Sequence, residues 1–392
     1  MSKFKIRLRP LQDIRIAWIV WLVFAAVISA LAVSFGTHSV AHVYRNAGIH
    51  WVQREDLYTS RISGFLYLPQ TAILYSPLAF LPLSLSEVIW RFLCVGLLAS
   101  AVWRLAKWAA ADGRWFPLVS YLTIPVAAGS ARNGQMNLPL AALMVHAAVD
   151  LAQGRWWWAT LFLCLGMALK PLMAVIILLS AAVYPRMIGR LALGLAIVGA
   201  FPFLWQDPAY VWKQYGLFLE KMQVASQPLA FGKRFNDLFG LLFTAGLDVS
   251  QPAQFAIRSA AAAATLLLSW LAVSRWGPRR GPILLVALSA CYLLLFNPRT
   301  EGCTYVLIAP MIGIWTARAF LFDHRPLLGW AGVALIVGLA GSYQIAGRNQ
   351  WLEPILCLIF LGYVIYLIFS RQQAERLSVE GGEGNTRASP LD

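Results

Sequence analysis

Between Ile16 and Gly36 the chain reads "IAWIVWLVFAAVISALAVSFG", twenty-one residues without a charge. About 20 apolar residues in a helix cross the ~30 Å of a bilayer's hydrocarbon, so this run predicts a spanning helix. It is too long for a signal-peptide core and has no clear cleavage site, so it reads as a retained first span. Comparable runs predict further spans at 87–105, 115–131, 136–152, 156–169, 171–184, 188–205, 257–274, 281–296, 303–319, 327–343 and 352–370. The expectation is an all-α polytopic membrane protein of about twelve transmembrane helices, some short enough to require tilt or burial among neighbours. No internal repeat is evident.

The polar intervals set the predicted topology. The N-terminal "MSKFKIRLRP" is basic, and later basic clusters fall at 103–114, 153–155, 184–190, 274–281, 317–326 and 370–376. Two spans fit between each consecutive pair, so every cluster lies on the cytoplasmic side, as the positive-inside rule demands. Both termini are then cytoplasmic, and 377–392 reads as a disordered tail behind a single domain covering 1–376. Two long segments, 37–86 and about 206–256, face outside. So do the short stretches "ARNGQ" (131–135), Lys170–Pro171, "NPRTEG" (297–302) and "YQIAGRNQ" (343–350).

Composition agrees. The chain is 59% hydrophobic and only 12% charged, about half the charge of a soluble domain of this length. Its net charge of +15 is spread over short loop clusters, which excludes the basic stripe of a nucleic-acid binder. Five cysteines include no CxxC pair, and the five histidines do not cluster, so no metal site or disulfide framework is expected. His146 and Asp150, one helical turn apart, read as a buried polar pair rather than a proton relay.

The chemistry-bearing residues gather on the predicted external face. In 37–86, Pro69, Pro77 and Pro82 make an ordinary span improbable, because each removes a backbone donor. Short helices packed against protein fit better. Trp51, Tyr58, Tyr67 and Tyr75 suit either an interfacial aromatic belt or ligand stacking. "ARNGQMN" places Arg132, Asn133, Gln135 and Asn137 at the mouth of a span, where Asn133 can cap the helix and the helix N-terminus attracts an anion. In "MALKPLM", Lys170 is either a snorkelling boundary residue or a cation held for a phosphate. "YVWKQYGLFLEKMQ" (210–223) predicts an amphipathic helix on the membrane plane. "FGKRFNDLFG" sets Lys233, Arg234, Asn236 and Asp237 among aromatics. "NPRTEG" predicts a helix end at Asn297–Pro298, with Arg299 turned inward toward Lys170 as a phosphate ligand. Glu301 is then a base or a brace for Arg299. Cations and amides suit a sugar phosphate, and a carboxylate suits removal of a hydroxyl proton.

The motifs "FLYLPQTAILYSPLAFLP", "NGQMNLPLAALM" with "LGMALKPLM", and "FNDLFG" with "NPRTEGCTY" resemble glycosyltransferase family 87. The resemblance runs from the first external segment to the tenth span. It implies a GT-C-like bundle and a sugar moved from a polyprenyl-phosphate donor to an acceptor hydroxyl on a glycan or glycolipid, at the external (periplasmic) face of the cell membrane. The donor is then a co-substrate, and no cofactor or metal is implied. Family enzymes carry an aspartate soon after the first span as the base. Here the corresponding "THSVAHVYRNAG" has no carboxylate; His38 and His42 are its titratable groups, and Glu55 and Asp56 follow some ten residues later. The candidate bases are therefore Glu301, Glu55 and Asp56. Arg132, Asn133, Gln135, Asn137, Lys170, Arg299, Asn236, Tyr67 and His42 are candidates for substrate binding. A transporter or flippase for a lipid-linked or anionic substrate is the competing class. It predicts repeat symmetry and mid-membrane ionisable groups in both halves, neither of which the sequence shows.

Overall fold

A computed structural model describes residues 12–35, 39–59, 64–225, 235–347 and 351–370. The N-terminal basic stretch, His38, Lys233, Arg234 and the tail beyond Ser370 lie outside the described residues. Every regular element among the described residues is helical. In chain order these are α1 (Ile14–Ser34), α2 (Ala41–Gln53), α3 (Pro69–Ala79), α4 (Leu83–Ala109), α5 (Phe116–Asn133) and α6 (Asn137–Ala152). They continue as α7 (Trp156–Leu169), α8 (Ala174–Val183), α9 (Ile188–Ala200), α10 (Pro208–Ala225), α11 (Leu238–Thr244) and α12 (Gln251–Phe296). The last are α13 (Ala309–Leu321), α14 (Pro326–Ala340), α15 (Ser342–Ala346) and α16 (Leu352–Phe369). Five of them (α1, α4, α12, α16 and α9 with its flanking turns) are long and apolar enough to cross a membrane.

The bundle is built around α6, in which all residues from Asn137 to Ala152 are buried. Its alanines at 141, 142, 147 and 148 let α4, α7 and α12 approach closely, which is how helices associate where lipid removes the hydrophobic drive. α12 is a hairpin rather than one rod. Gly277 takes φ 70 and ψ −174, and the halves 251–276 and 278–296 fold back on each other. Arg258 Nε then donates to the Phe296 carbonyl at 2.9 Å, across 38 residues of chain. The inner half is buried from Gly281 to Leu295 with few gaps, while the outer half shows Phe255, Leu267 and Trp270 to the surroundings. Ile19, Leu22, Val23 and Val27 of α1 are exposed likewise, an apolar surface suited to lipid rather than water.

The polar stretch 39–59 holds a helix, α2, that packs tightly on α3. A Cβ on Gly48 would stand 3.1 Å from Ala79 Cβ and from Ser76 Cα, so this crossing needs glycine. The prolines divide the next segment as their chemistry requires: Pro69 opens α3, Pro77 lies inside it, and Pro82 precedes α4. One short helix forms here rather than a pair, and its partner comes from the preceding polar stretch. Residues 210–223 lie in the helix α10, which packs Tyr210, Gln214 and Phe218 inward and leaves Trp212 and Leu219 exposed.

Candidate active site

Four polar residues, far apart in sequence, meet at one end of α6. α5 ends at Asn133 because Gly134 turns left-handed, φ 64. The next turn delivers Gln135 and then Asn137, the first residue of α6. α7 stops at Lys170 because Pro171 follows, which holds Lys170 extended at φ −153, ψ 123. α12 stops at Phe296, with Asn297 extended ahead of Pro298 as expected, and the chain descends to Glu301 at the head of a tight turn over Gly302–Leu307.

The side chains form one directed relay. Lys170 Nζ donates to Asn137 Oδ1 at 2.6 Å, Asn137 Nδ2 donates to Gln135 Oε1 at 2.6 Å, and Gln135 Nε2 donates to Glu301 Oε2 at 2.7 Å. Cys303 Sγ also donates to Gln135 Oε1, at 2.8 Å. Asn137 is 1% exposed, whereas Glu301 is open to the exterior. A half-buried cation is thus joined through two amides to a carboxylate that a substrate can reach. Burial pushes the Lys170 ammonium below its ordinary range, and the charge of Glu301 opposes that shift.

Aromatic and backbone groups fix the frame. Tyr44 OH lies 3.2 Å from Tyr67 OH and accepts from Met136 N at 3.3 Å. Tyr67 is pushed up to about 12, by burial first, with the charges of Glu301 and Cys303 adding to it. Thr71 Oγ1 donates to the carbonyls of Ala168 and Leu169, just before Lys170. From α4, Arg91 pairs with Glu87 and donates to the Arg132 carbonyl at 2.9 Å, and Trp90 Nε1 donates to the Gly134 carbonyl at 2.8 Å. Glu301 and Thr304 also form a reciprocal helix cap on the tight turn.

The other sequence candidates are placed elsewhere. Arg132 is exposed at this end. Asn133 does not cap α6; it ends α5, and its carbonyl accepts from Val40 N at 2.9 Å. Arg299 does not turn to Lys170 but donates to the Ala225 carbonyl at 3.2 Å, with its guanidinium over the Phe235 ring. Asn236 braces the rim: its N–H donates to Thr300 O, its amide to Glu353 Oε1, and its carbonyl accepts from Tyr305 OH at 2.6 Å. Asp237 caps α11 by accepting from Gly240 N. His42 is exposed and turned to its own Ser39 carbonyl.

Asp56 and Glu55 lie against α10. Asp56 takes hydrogen bonds from Lys213 and Gln214, and the Lys213 contact holds its carboxyl below the usual range, which weakens it as a base. Glu55 sits beside His50 at 3.5 Å, exposed. Trp51, Tyr58 and Tyr75 are buried, Trp51 and Tyr75 at 2%, so they are core rather than an interfacial belt. α10 covers two of them, with Trp51 against Tyr210 and Tyr58 against Phe218, while Tyr75 packs on Tyr44 and Trp90.

Tyr44, Thr304 and Glu353 escaped the sequence reading, and Cys303 reads from sequence only as a small packing residue. Glu353 alone had a usable signal, an acid in the first turn of an otherwise apolar helix. Among the described residues no group of three or more His, Cys, Asp or Glu is placed to hold a metal ion.

Residues 65–298, more than half of the chain, match glycosyltransferase family 87. The chain belongs to that family. It is therefore a membrane glycosyltransferase rather than a transporter. The family 87 match contains Gln135, Asn137 and Lys170 and stops at Pro298, three residues before Glu301. Among the curated proteins and the solved structures, none matches the chain.

Proposed function

We propose that this family 87 enzyme transfers a sugar from a polyprenyl-phosphate donor to an acceptor hydroxyl, with Glu301 as the base. The single observation that supports this assignment is the relay ending at Glu301 Oε2, 2.7 Å from Gln135 Nε2. It leaves Glu301 as the reachable carboxylate of the polar cluster, whereas Asp56 is committed to Lys213. Glu301 takes the proton of the acceptor hydroxyl as that oxygen attacks the anomeric carbon. The bond from the sugar to the phosphate oxygen breaks, and the polyprenyl phosphate leaves with the electron pair. Gln135 and Asn137 orient the carboxylate, and Lys170 balances its charge from behind. The exposed Arg132 guanidinium, at the same end, suits the donor phosphate. Tyr67 lies close enough to flank the sugar. No cofactor takes part; the lipid-linked sugar is the co-substrate. The reaction lies on the external face of the membrane in a GT-C-like bundle, because the cluster falls opposite the basic loop clusters.

The reciprocal cap between Glu301 and Thr304 favours a second reading, in which Glu301 only shapes the turn. Purified protein supplied with radiolabelled polyprenyl-phosphate sugars separates the two. Glu301→Gln keeps the cap acceptor but removes the basic oxygen, so a base loses roughly 10²-fold or more in turnover with folding intact. Near-wild-type turnover by folded Glu301→Gln protein overturns the assignment.

A further inference from the structure

The turn that presents Glu301 is held from behind by a polar pair that takes no part in the transfer step above. Glu353 stands in the first turn of α16 and is 5% exposed, and Asn236 is 6% exposed. Asn236 Nδ2 donates to Glu353 Oε1 at 3.0 Å, the one hydrogen bond of that carboxylate among the described residues. Asn236 also reaches both flanks of the turn. Its N–H donates to the Thr300 carbonyl at 2.8 Å, and its own carbonyl accepts from the Tyr305 hydroxyl at 2.6 Å. Between those flanks Gly302 lies directly on the pair. A Cβ there would stand 2.9 Å from Glu353 Oε1 and 3.3 Å from Asn236 Nδ2. Glycine at 302 therefore lets the backbone between Glu301 and Cys303 seat on the carboxylate.

We infer that Glu353 is a positioning residue for glycosyl transfer, fixing through Asn236 the turn that aims Glu301, a role that rests on the reading of Glu301 as the base. Burying a carboxylate is costly, and among the described residues no lysine or arginine pairs with Glu353. The positive end of α16 offsets part of that cost, yet an apolar side chain would pack the same helix without incurring it. The contacts are also directional. The hydrogen bonds of Asn236 go to Glu353 or to the turn, and to nothing else among the described residues. Thr300 and Tyr305 are fully buried, so water cannot replace Asn236 at either flank. Gln135 holds the opposite face of the turn through Glu301 and Cys303. The base thus sits between two anchors, the amide relay in front and Glu353 behind. Both anchors must hold for the carboxylate to meet the acceptor hydroxyl in the right geometry, since small misplacements of a reacting group are costly in rate.

The test uses the full chain in detergent and reads two quantities: turnover with radiolabelled polyprenyl-phosphate sugar, and the rate at which N-ethylmaleimide alkylates Cys303. Cys303 follows Gly302 in the same turn, and the other four cysteines are buried, so the second rate reports the turn without reference to the base. Glu353→Ala is expected to lower turnover by about tenfold at unchanged KM for the donor, and to speed alkylation by about tenfold, the scale of one lost hydrogen bond. Glu353→Gln keeps an oxygen for Asn236 and is expected to bring both quantities back near wild type. In the Glu301→Gln background Glu353→Ala is expected to cost no further turnover, because its effect passes through the base. Unchanged alkylation or unchanged turnover in folded Glu353→Ala protein overturns the positioning role. Near-wild-type turnover by Glu301→Gln, beside a tenfold loss in Glu353→Ala, overturns the base alone and keeps Glu353 as the residue that holds this turn for transfer. Where Glu353→Ala does not fold, Tyr305→Phe decides. It keeps the buried ring and removes the hydroxyl that donates to Asn236; faster alkylation with lower turnover supports the role, and no change in either overturns it.

Discussion

The guanidinium of Arg91 occupies the space beside Gly134 where a side chain would begin: a Cβ there would stand 2.8 Å from both Nη atoms. Gly134 also holds φ 64, a conformation that a Cβ disfavours. Arg91 uses this closeness to reach the Arg132 carbonyl, and so fixes the loop that carries Gln135. Gly134→Ala is expected to cost about 1–3 kcal/mol, from backbone strain together with displacement of a buried ion pair. Transfer activity should fall further than the loss of folded protein explains, because Gln135 is misplaced. Thermal unfolding and turnover per folded molecule, measured together, check this.

If Lys170 backs Glu301 as proposed, it sets a pH limit on turnover. Burial lowers its folded pKa below the ordinary 10.5, so it loses its proton at a pH where an unfolded lysine keeps one. In the window between those two values the unfolded chain binds more protons, so stability attributable to Lys170 rises with pH. Activity runs the other way, because the relay to Glu301 loses its cation. The alkaline limb of turnover should therefore lie below 10.5 and coincide with no loss of fold. Lys170→Arg should move that limb upward at reduced turnover, and Lys170→Met should remove most activity at every pH. A limb unmoved by Lys170→Arg assigns it to another group.

The helices near the site were legible because apolar runs there stop at residues with one clear meaning. Lys170 before Pro171 and Asn297 before Pro298 end helices where the sequence places an end, whereas Asn133, expected to cap α6, ends α5 instead. The residue types of the site were legible too, since amides and charges are costly in such company. Their partners were not, because hydrogen bonding between Gln135 and Glu301 depends on 166 residues of intervening path. The Arg299 partner was hidden for that reason: the end of α10 supplies a carbonyl that no local pattern announces. α2 was missed because its polar residues hid an apolar face of Ala41, Tyr44, Ala47 and Trp51 at helical spacing.

Asp56 tests which carboxylate serves as base. Its contact with Lys213 is at 2.7 Å, but both partners are substantially exposed, so the pair is worth only ~0–1 kcal/mol. Asp56→Asn keeps the acceptor for Gln214 and should leave turnover within about threefold of wild type, well short of the roughly 10²-fold loss of a general base. Comparing Asp56→Asn, Glu55→Gln and Glu301→Gln in the same radiolabel assay decides among the three. A loss confined to Asp56→Asn places the base against α10.

At the far end of α6 the structure makes a sharper demand. Arg104 Nη1 meets His146 Nδ1 at 3.0 Å, and Arg104 Nη2 donates to Asp150 Oδ1 at 2.5 Å, so the expected His–Asp pair is bridged by an arginine from α4. Ser100 Oγ closes the other side of the imidazole, and Phe162 stacks on its ring at 4.8 Å. Nine residues of α6 separate His146 from Asn137, roughly 14 Å along the axis, so this cluster cannot touch the same substrate atoms as Glu301. A proton relay and a structural lock differ in what Asp150→Ala damages. The lock leaves the half-buried Arg104 without its carboxylate, at a cost of about 1–3 kcal/mol. Asp150→Ala should therefore lower the unfolding temperature while turnover per folded molecule stays near wild type. His146→Phe should also retain turnover, because stacking on Phe162 is preserved and only the contacts to Ser100 and Arg104 are lost. Folded Asp150→Ala protein that has lost transfer would show that the Asp150 end of α6 takes part in the reaction.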